Sequence, residues 1–346
     1  MRSLWRSAGW LALSLGALYL IFVFRVQLKN ILAPFVLAVI IAYILNPVVE
    51  FLAERRIPRV VGILIIYAAV VLLLTLLALL IVPGVVAEAN ELGQRLPALA
   101  KQVNGLIAEV QSRYERLRIP PTLQGILDNN LEGVQRLVLG FLQGAVNSLI
   151  GVFGQVFLFV IAPILAFYIL KDLELIKRSI SSALPGSYRR RLTALLGEID
   201  DTLGSWTRGQ LIISLIVAAL TMLGLQIIGM DFVLMIGLIA GITNVIPYFG
   251  PIIGSIPAVI LGFLNEPVMA LKVVAVMVAV QQLESNVLSP QILGRSLGLH
   301  PLLVIFALIA GGQLFGFLGL IFAVPAMAVI KVILRHSFQG RSYHSG

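Results

Sequence analysis

The chain contains no cysteine, which excludes disulfides, thiolate metal sites and cysteine nucleophiles. Its three histidines, at positions 300, 336 and 344, form neither an HExxH motif nor an i, i+4 pair, so no zinc site is expected, and no other metal or cofactor. Phosphate loops of the form GxxxxGK[ST], dinucleotide GxGxxG turns and GxSxG nucleophile elbows are missing as well. ATP-driven transport by this chain alone therefore lacks support, and the chain is not expected to be an enzyme. Charge is scarce: 12% of the 346 residues are charged against 59% hydrophobic, with a mean hydropathy of +1.02. A soluble globule does not have this composition; a chain solvated by lipid does. The formal charge of +9 does not point to nucleic acid, because Lys and Arg cluster beside apolar runs rather than on one amphipathic face. Their positions fit a topology signal and contact with anionic lipid.

Apolar runs long enough for about 30 Å of hydrocarbon, roughly 20 helical residues, recur along nearly the whole chain. The expected class is all-α, a polytopic helical membrane protein. Arg2 and Arg6 precede the first run, Leu11 to Phe24, which reads as an uncleaved anchor with its N-terminus in the cytoplasm. The second run, Ile31 to Leu45, ends at Asn46-Pro47 before Arg55, Arg56 and Arg59, so its exit is also cytoplasmic. A third run, Val60 to Val82, then leads outward to an insert, 84–148, with six basic and six acidic residues. The fourth, Leu149 to Leu170, meets the densest cationic loop, with Lys171, Lys177, Arg178 and Arg189 to Arg191. Arg25 and Lys29 fall outside in this scheme and are outvoted by the larger clusters. The expected organisation is N-terminal helices 1–83, an extracytoplasmic amphipathic insert 84–148, a transmembrane helix with basic loop 149–207, a transport core 208–336, and a cytoplasmic tail 337–346.

The insert carries a heptad-like seam, Val85, Ala89, Leu92, Leu96, Leu99, Val103, Leu106, Val110 and Leu117, interrupted where Arg113 takes one slot. Pro97 should kink it. The seam suits either a contact between copies of the chain or packing within one chain.

Self-comparison of the second half finds two blocks with one order: LIAG, an interrupted centre, a glycine, then Pro-Ala. The first is Leu238-Ile239-Ala240-Gly241, Phe249-Gly250 and Pro257-Ala258; the second is Leu308-Ile309-Ala310-Gly311, Leu318-Gly319 and Pro325-Ala326. Each block, Asp231 to Leu264 and Pro301 to Leu334, is too long for one span and short for two, so a hairpin of two half-helices fits. The breaks are expected at Ile246–Pro251 and Gly311–Gly316. Parity between the blocks makes them an inverted repeat of re-entrant hairpins, although two short spanning helices per block satisfy the same parity.

Unwound backbone at membrane depth is tolerated where protein or a water-filled cavity satisfies it. Pro247, Tyr248, Gly250 and Pro251, with Asn244 one turn before, therefore mark a candidate cavity wall rather than a simple kink, and Gln313 occupies the equivalent place in the second block. Gln281, Gln282, Glu284 and Asn286 are the densest polar cluster in any apolar run. A carboxylate at full depth costs about 2.5 to 3.5 kcal/mol on insertion scales, so Glu284 is the leading candidate for a proton or cation carrier. The alternative places it at the cytoplasmic rim, pairing Arg295. Asn46 either caps a half-helix before Pro47 or marks a helix stop. Asp231 reads as solvated and Lys272 as snorkelling.

Several stretches in order along the chain resemble the autoinducer-2 exporter family of predicted permeases. They are Pro34-Phe35 with Ala42-Tyr43-Ile44-Leu45-Asn46-Pro47, Phe167-Tyr168-Ile169-Leu170-Lys171-Asp172, and Gly209-Gln210. To these add Ile246-Pro247-Tyr248-Phe249-Gly250-Pro251, Gln281-Gln282-Leu283-Glu284-Ser285-Asn286 and Leu299-His300-Pro301. The resemblance implies a bacterial cytoplasmic-membrane protein, in a family whose members are linked to export of autoinducer-2 or to sodium- or lithium-proton antiport, and it implies homo-oligomers. The expected partners are thus the lipid bilayer, a small solute, Na+ or H+ as coupling ion and further copies of the chain, with no nucleic acid. Three functional classes remain open to the sequence: a coupled secondary transporter, a passive channel, and a membrane scaffold that uses the insert to bind partners.

Overall fold

A computed structural model describes residues 25–116, 121–153, 156–182, 186–293 and 298–339, and all of its regular structure among them is helical. The first apolar run, Leu11 to Phe24, lies outside the described residues, as do Leu117 and Arg295. In chain order the helices are α1 (Arg25–Glu54), α2 (Arg59–Arg116), α3 (Pro121–Phe153), α4 (Val156–Ser182), α5 (Gly186–Ile227), α6 (Val233–Thr243), α7 (Phe249–Asn265) and α8 (Pro267–Leu283). A π-helical turn (Glu284–Leu288) joins α8 to the short α9 (Ser289–Ile292), and α10 covers Pro301–Gln339. Five stretches among the described residues are long and apolar enough to cross a membrane: Pro34–Glu54, Arg59–Arg113, Leu192–Ile227, Pro267–Ile292 and Gly319–His336. The chain is a polytopic helical membrane protein.

Several boundaries differ from those expected. α1 continues through Asn46-Pro47 to Glu54, so that dipeptide neither caps nor stops it. The third run and the insert are one helix: α2 passes Pro83 and Pro97 unbroken for 58 residues, about 87 Å at 1.5 Å per residue. The expected run Leu149 to Leu170 is divided between the end of α3 and the start of α4.

The chain forms two compact units. The first holds the described residues of 1–67, 156–208 and 295–346, the second those of 68–155 and 209–294. In the first, α1 packs along α4 through small buried residues at helical spacing, Ala38 and Ala42 on α1 and Ala162 and Ala166 on α4. Small side chains let helix backbones approach where lipid supplies no hydrophobic drive between helices. Tyr67 Oη donates to the Pro163 carbonyl at 2.8 Å, and the Tyr67 ring meets Phe167 edge-on at 6.5 Å. In α10 the chain reverses at Gly316, whose φ of 61° is one that glycine adopts readily. A Cβ on Gly311 would lie 2.5 Å from the Gly319 carbonyl oxygen, whereas a straight helix separates residues eight apart by about 12 Å. The second sequence block is therefore a helical hairpin, broken at the last residue of the expected stretch, Gly316.

In the second unit α6 and α7 form the other hairpin. The break covers Asn244 to Tyr248, and the helix resumes at Phe249, slightly earlier than expected. Tyr248 supplies the reversal with φ 63°, a strained value for a non-glycine residue. Pro251 sits in the first turn of α7, where its missing N–H costs nothing. The packing is backbone to backbone: a Cβ on Gly250 would stand 2.0 Å from the Thr243 carbonyl oxygen, and one on Gly254 would stand 2.8 Å from the Ala240 Cα. On its other face α6 places Gly237 and Gly241 against Ala218 and Met222 of α5. The core of this unit collects Met235, Ile236, Ala258, Leu261 and Val273 with Val85, Ala89 and Leu92 of α2 and Leu142 of α3. The first half of the heptad seam is thus used within the chain. Further along it, Leu106 and Val110 are exposed and border an apolar groove of about 550 Å³ with Val134 of α3 and Phe263 of α7.

Candidate functional site

Asn244 ends α6, its backbone N–H bonded to the Ala240 carbonyl, and its side chain is 1% exposed. Its Nδ2 donates to Glu284 Oε1 at 3.1 Å. Because a carboxylate only accepts, this contact fixes which amide atom faces Glu284 and leaves Oδ1 directed elsewhere. Gln210 of α5, also buried, donates Nε2 to the Asn244 carbonyl at 2.8 Å. The break thus has a hydrogen bond on each side, one from α5 and one to the end of α8.

Glu284 opens the π-helical turn, in which the Ser289 N–H bonds to the Glu284 carbonyl five residues back. Such turns recur at functional sites because they disturb the regular presentation of side chains. Gln281 approaches the same carboxylate. Among the described residues four buried polar oxygens have no hydrogen-bond partner: Ser214 Oγ, Thr221 Oγ1, Asn244 Oδ1 and Glu284 Oε2. Buried polar groups are nearly always paired, so an unpaired oxygen beside a cavity is one that a polar ligand's donor can satisfy. Two of the four residues, Thr221 and Asn244, wall a cavity of about 190 Å³ with Pro251, Ser255, Gln281 and apolar residues of α5, α6, α7 and α8. It is smaller than the 300 to 1,000 Å³ or so typical of drug-sized ligands and suits a small solute.

The expected site residues therefore separate. Asn244, Gln281, Glu284 and Pro251 come together. Gln282 and Asn286 bond to each other at 2.7 Å, i to i+4, on an exposed face, so the polar cluster read from the sequence is two faces of one helix. Tyr248 is exposed at the turn, Pro247 is half-buried in it, and Gly250 is a packing residue. Gln313 is exposed near the second break. Glu284 pairs with Asn244, and the alternative partner Arg295 lies outside the described residues. Asp231 is not simply solvated: it receives Arg95 at 3.2 Å.

Asn46 belongs to the first unit, in a cavity of about 690 Å³ with Tyr43, Glu50, Asp200, Asp201 and Arg208. Pro47 has no N–H, which frees the Tyr43 carbonyl four residues back, and Arg208 Nη1 takes it at 3.2 Å. Tyr43 Oη donates to Asp200 at 2.7 Å. Asn46 accepts from Arg59 at 3.3 Å and donates to Glu50 at 2.7 Å.

Gln210, Ser214 and Thr221 were not singled out as site residues from the sequence. The signal was available: Thr207, Gln210, Ser214 and Thr221 fall at helical spacings on one buried face of an otherwise apolar helix. No group of three or more His, Asp or Glu that could hold a metal occurs among the described residues.

A profile of the family described as "AI-2E family transporter" matches residues 11–339. The "Putative transport protein YrrI" of Bacillus subtilis (strain 168) is 34% identical over 97% of each chain. "Putative transport protein YueF" of the same organism is 35% identical over 89% of this chain and 84% of its own. "AI-2 transport protein TqsA" of Escherichia coli (strain K12) is 26% identical over 90% of this chain and 88% of its own.

Proposed function

This chain belongs to the AI-2E transporter family, and from that premise we propose that it is a secondary transporter of the bacterial inner membrane. It exports a small polar solute such as autoinducer-2, or exchanges a monovalent cation for protons, through the Asn244–Glu284 site. The observation that carries this reading is a carboxylate within a candidate span, Pro267–Ile292, hydrogen-bonded to a fully buried Asn at a helix break, with an unpaired oxygen on each. A charge held at that depth is costly and is typical of ion and proton pathways. The relative named as an AI-2 transport protein favours the first solute.

The two hairpins support the same reading. In this proposal each re-enters from its own side of the membrane; in the first, α6 has 11 residues, is about 16 Å long and cannot cross 30 Å of hydrocarbon. Discontinuous helices of this kind place binding groups near the midplane in secondary transporters. The basic clusters orient the chain with both termini and residues 171–207 in the cytoplasm and 84–148 outside.

The test is flux in proteoliposomes under an imposed pH gradient, with autoinducer-2 and a panel of monovalent cations. Glu284→Gln keeps the shape and the bond from Asn244 while deleting the titratable group. It should leave the protein folded and remove the dependence of flux on the gradient; unchanged dependence would remove Glu284 from the coupling role.

A further inference from the structure

α6 begins without a cap of its own. Its N-cap position is Phe232, at φ 60° with no side-chain bond to the helix, and the first helical residues Val233, Met235 and Ile236 are buried. Ile236 N–H already bonds the Phe232 carbonyl at 3.0 Å, but the N–H groups before it have no acceptor within the helix and need one that water does not supply there. The acceptor comes from α2: Glu88 Oε1 takes the Leu234 N–H at 3.2 Å and Oε2 the Met235 N–H at 2.7 Å. A carboxylate at a helix N-terminus also meets the positive end of the helix dipole. Two turns along the same face of α2, Arg95 bonds Asp231 at 3.2 Å and covers the Phe232 ring at 5.5 Å. One turn before Glu88, α2 is packed closely enough against α6 that a Cβ on Gly84 would stand 2.6 Å from Leu234 Cδ1. One face of α2 thus holds Asp231, Phe232, Leu234 and Met235, and the far end of that same short helix is Asn244.

We propose that Glu88 and Arg95 are positioning residues for the Asn244–Glu284 site: they seat the N-terminus of α6 on α2, and α6 transmits that seat to Asn244. The α2–α3 arm thereby sets the geometry of the transport site, and a partner or solute that shifts the arm shifts Asn244 with it. This inference rests on the reading of Asn244–Glu284 as the site, and its test is separable from that reading.

The chain has no native cysteine, so Ser255→Cys places one thiol in the cavity wall, where its rate of reaction with N-ethylmaleimide reports the packing of the hairpin without any transport. In that background Glu88→Ala and Arg95→Met should each raise the rate by about fivefold, the size of effect that follows loss of a helix cap. Glu88→Gln keeps one acceptor oxygen and should fall between the two extremes. Glu132→Gln, on α3, should leave the rate unchanged. A cysteine at Ser205, in the first unit, should react at one rate in all four variants. Wild-type labelling in both Glu88→Gln and Arg95→Met overturns the proposal, even if Glu88→Ala fails to fold. An equal rise at the Ser205 cysteine overturns it too, since that reports general loosening. Failure of the transport reading shows differently, as normal flux coupling in Glu284→Gln beside an intact labelling response to Glu88→Ala.

Discussion

Gly250→Ala adds a single methyl group at the point where the two strands of the first hairpin are closest. Built on the existing backbone, that carbon lies 2.0 Å from the Thr243 carbonyl oxygen, 2.6 Å from its carbon and 2.9 Å from the Asn244 Cα. Every one of these atoms is backbone, so no rotamer change can make room. A Cβ essentially never comes within 3.0 Å of another heavy atom, which means α7 and the end of α6 must separate by at least about 1 Å. The Asn244 bond to Glu284 is already 3.1 Å long, and a displacement of that size takes it beyond the usual hydrogen-bond range of about 3.2 Å. Overpacking of this kind costs about 1 to 3 kcal/mol. The variant should therefore insert and fold with a lowered thermal midpoint, and its flux should lose gradient dependence, as is expected of Glu284→Gln. Gly140→Ala is the matched control. Its added carbon meets nothing within 4 Å, so within α3 it should be neutral or stabilise by up to about 1 kcal/mol. Melting curves of the purified protein and flux in proteoliposomes measure both. If Gly250→Ala melts and transports like the parent, the close approach of α6 and α7 does not hold Asn244 in place.

Gln210→Leu removes the donor to the Asn244 carbonyl and leaves that oxygen buried and unpaired, at a cost of about 1 to 3 kcal/mol read as a lower melting midpoint; an unshifted midpoint would show that the bond contributes nothing. Thr221→Val deletes a buried hydroxyl that has no partner, so stability should hold or rise while the apparent affinity for solute falls; equal affinity would remove Thr221 from the binding surface. Single cysteines in 84–148 should react with an impermeant maleimide added outside, and those in 171–207 only from the cytoplasmic side. External labelling of 171–207 would reverse the orientation.

The class of the chain and both hairpins could be read from composition, run length and the repeated LIAG, glycine, Pro-Ala order, because each is a property of local sequence. Glu284 stood out for the same reason, as a charge inside an apolar run. Its neighbours did not sort correctly, since Gln281 and Gln282 are adjacent in sequence but face different ways on a helix. Spacing alone separates them: Gln281 shares a face with Glu284 at i+3, and Gln282 shares one with Asn286 at i+4. Gln210 and Glu88 act across 34 and 146 residues, and no local pattern announces a contact of that range. Continuity of α2 through Pro83 and Pro97 was also hidden, because proline predicts a break that surrounding packing can override. Asn46, which reads from the sequence as a half-helix cap or a helix stop, does neither, because α1 continues past it and its bonds are to Glu50 and Arg59 in the first unit.

The first hairpin also has an electrostatic consequence for what its cavity can select. At the turn the C-terminus of α6 and the N-terminus of α7 lie side by side, ends that carry partial charges of about −0.5 and +0.5. They oppose each other and leave no strong field of either sign at the break. A single half-helix aimed at the cavity would favour ions of one sign; the paired ends favour neither. The cavity wall itself bears no formal charge, so under the transport proposal discrimination between cations, anions and neutral molecules would fall to Glu284, the carboxylate bonded to the wall residue Asn244, and a change in its ionisation would change what the cavity admits.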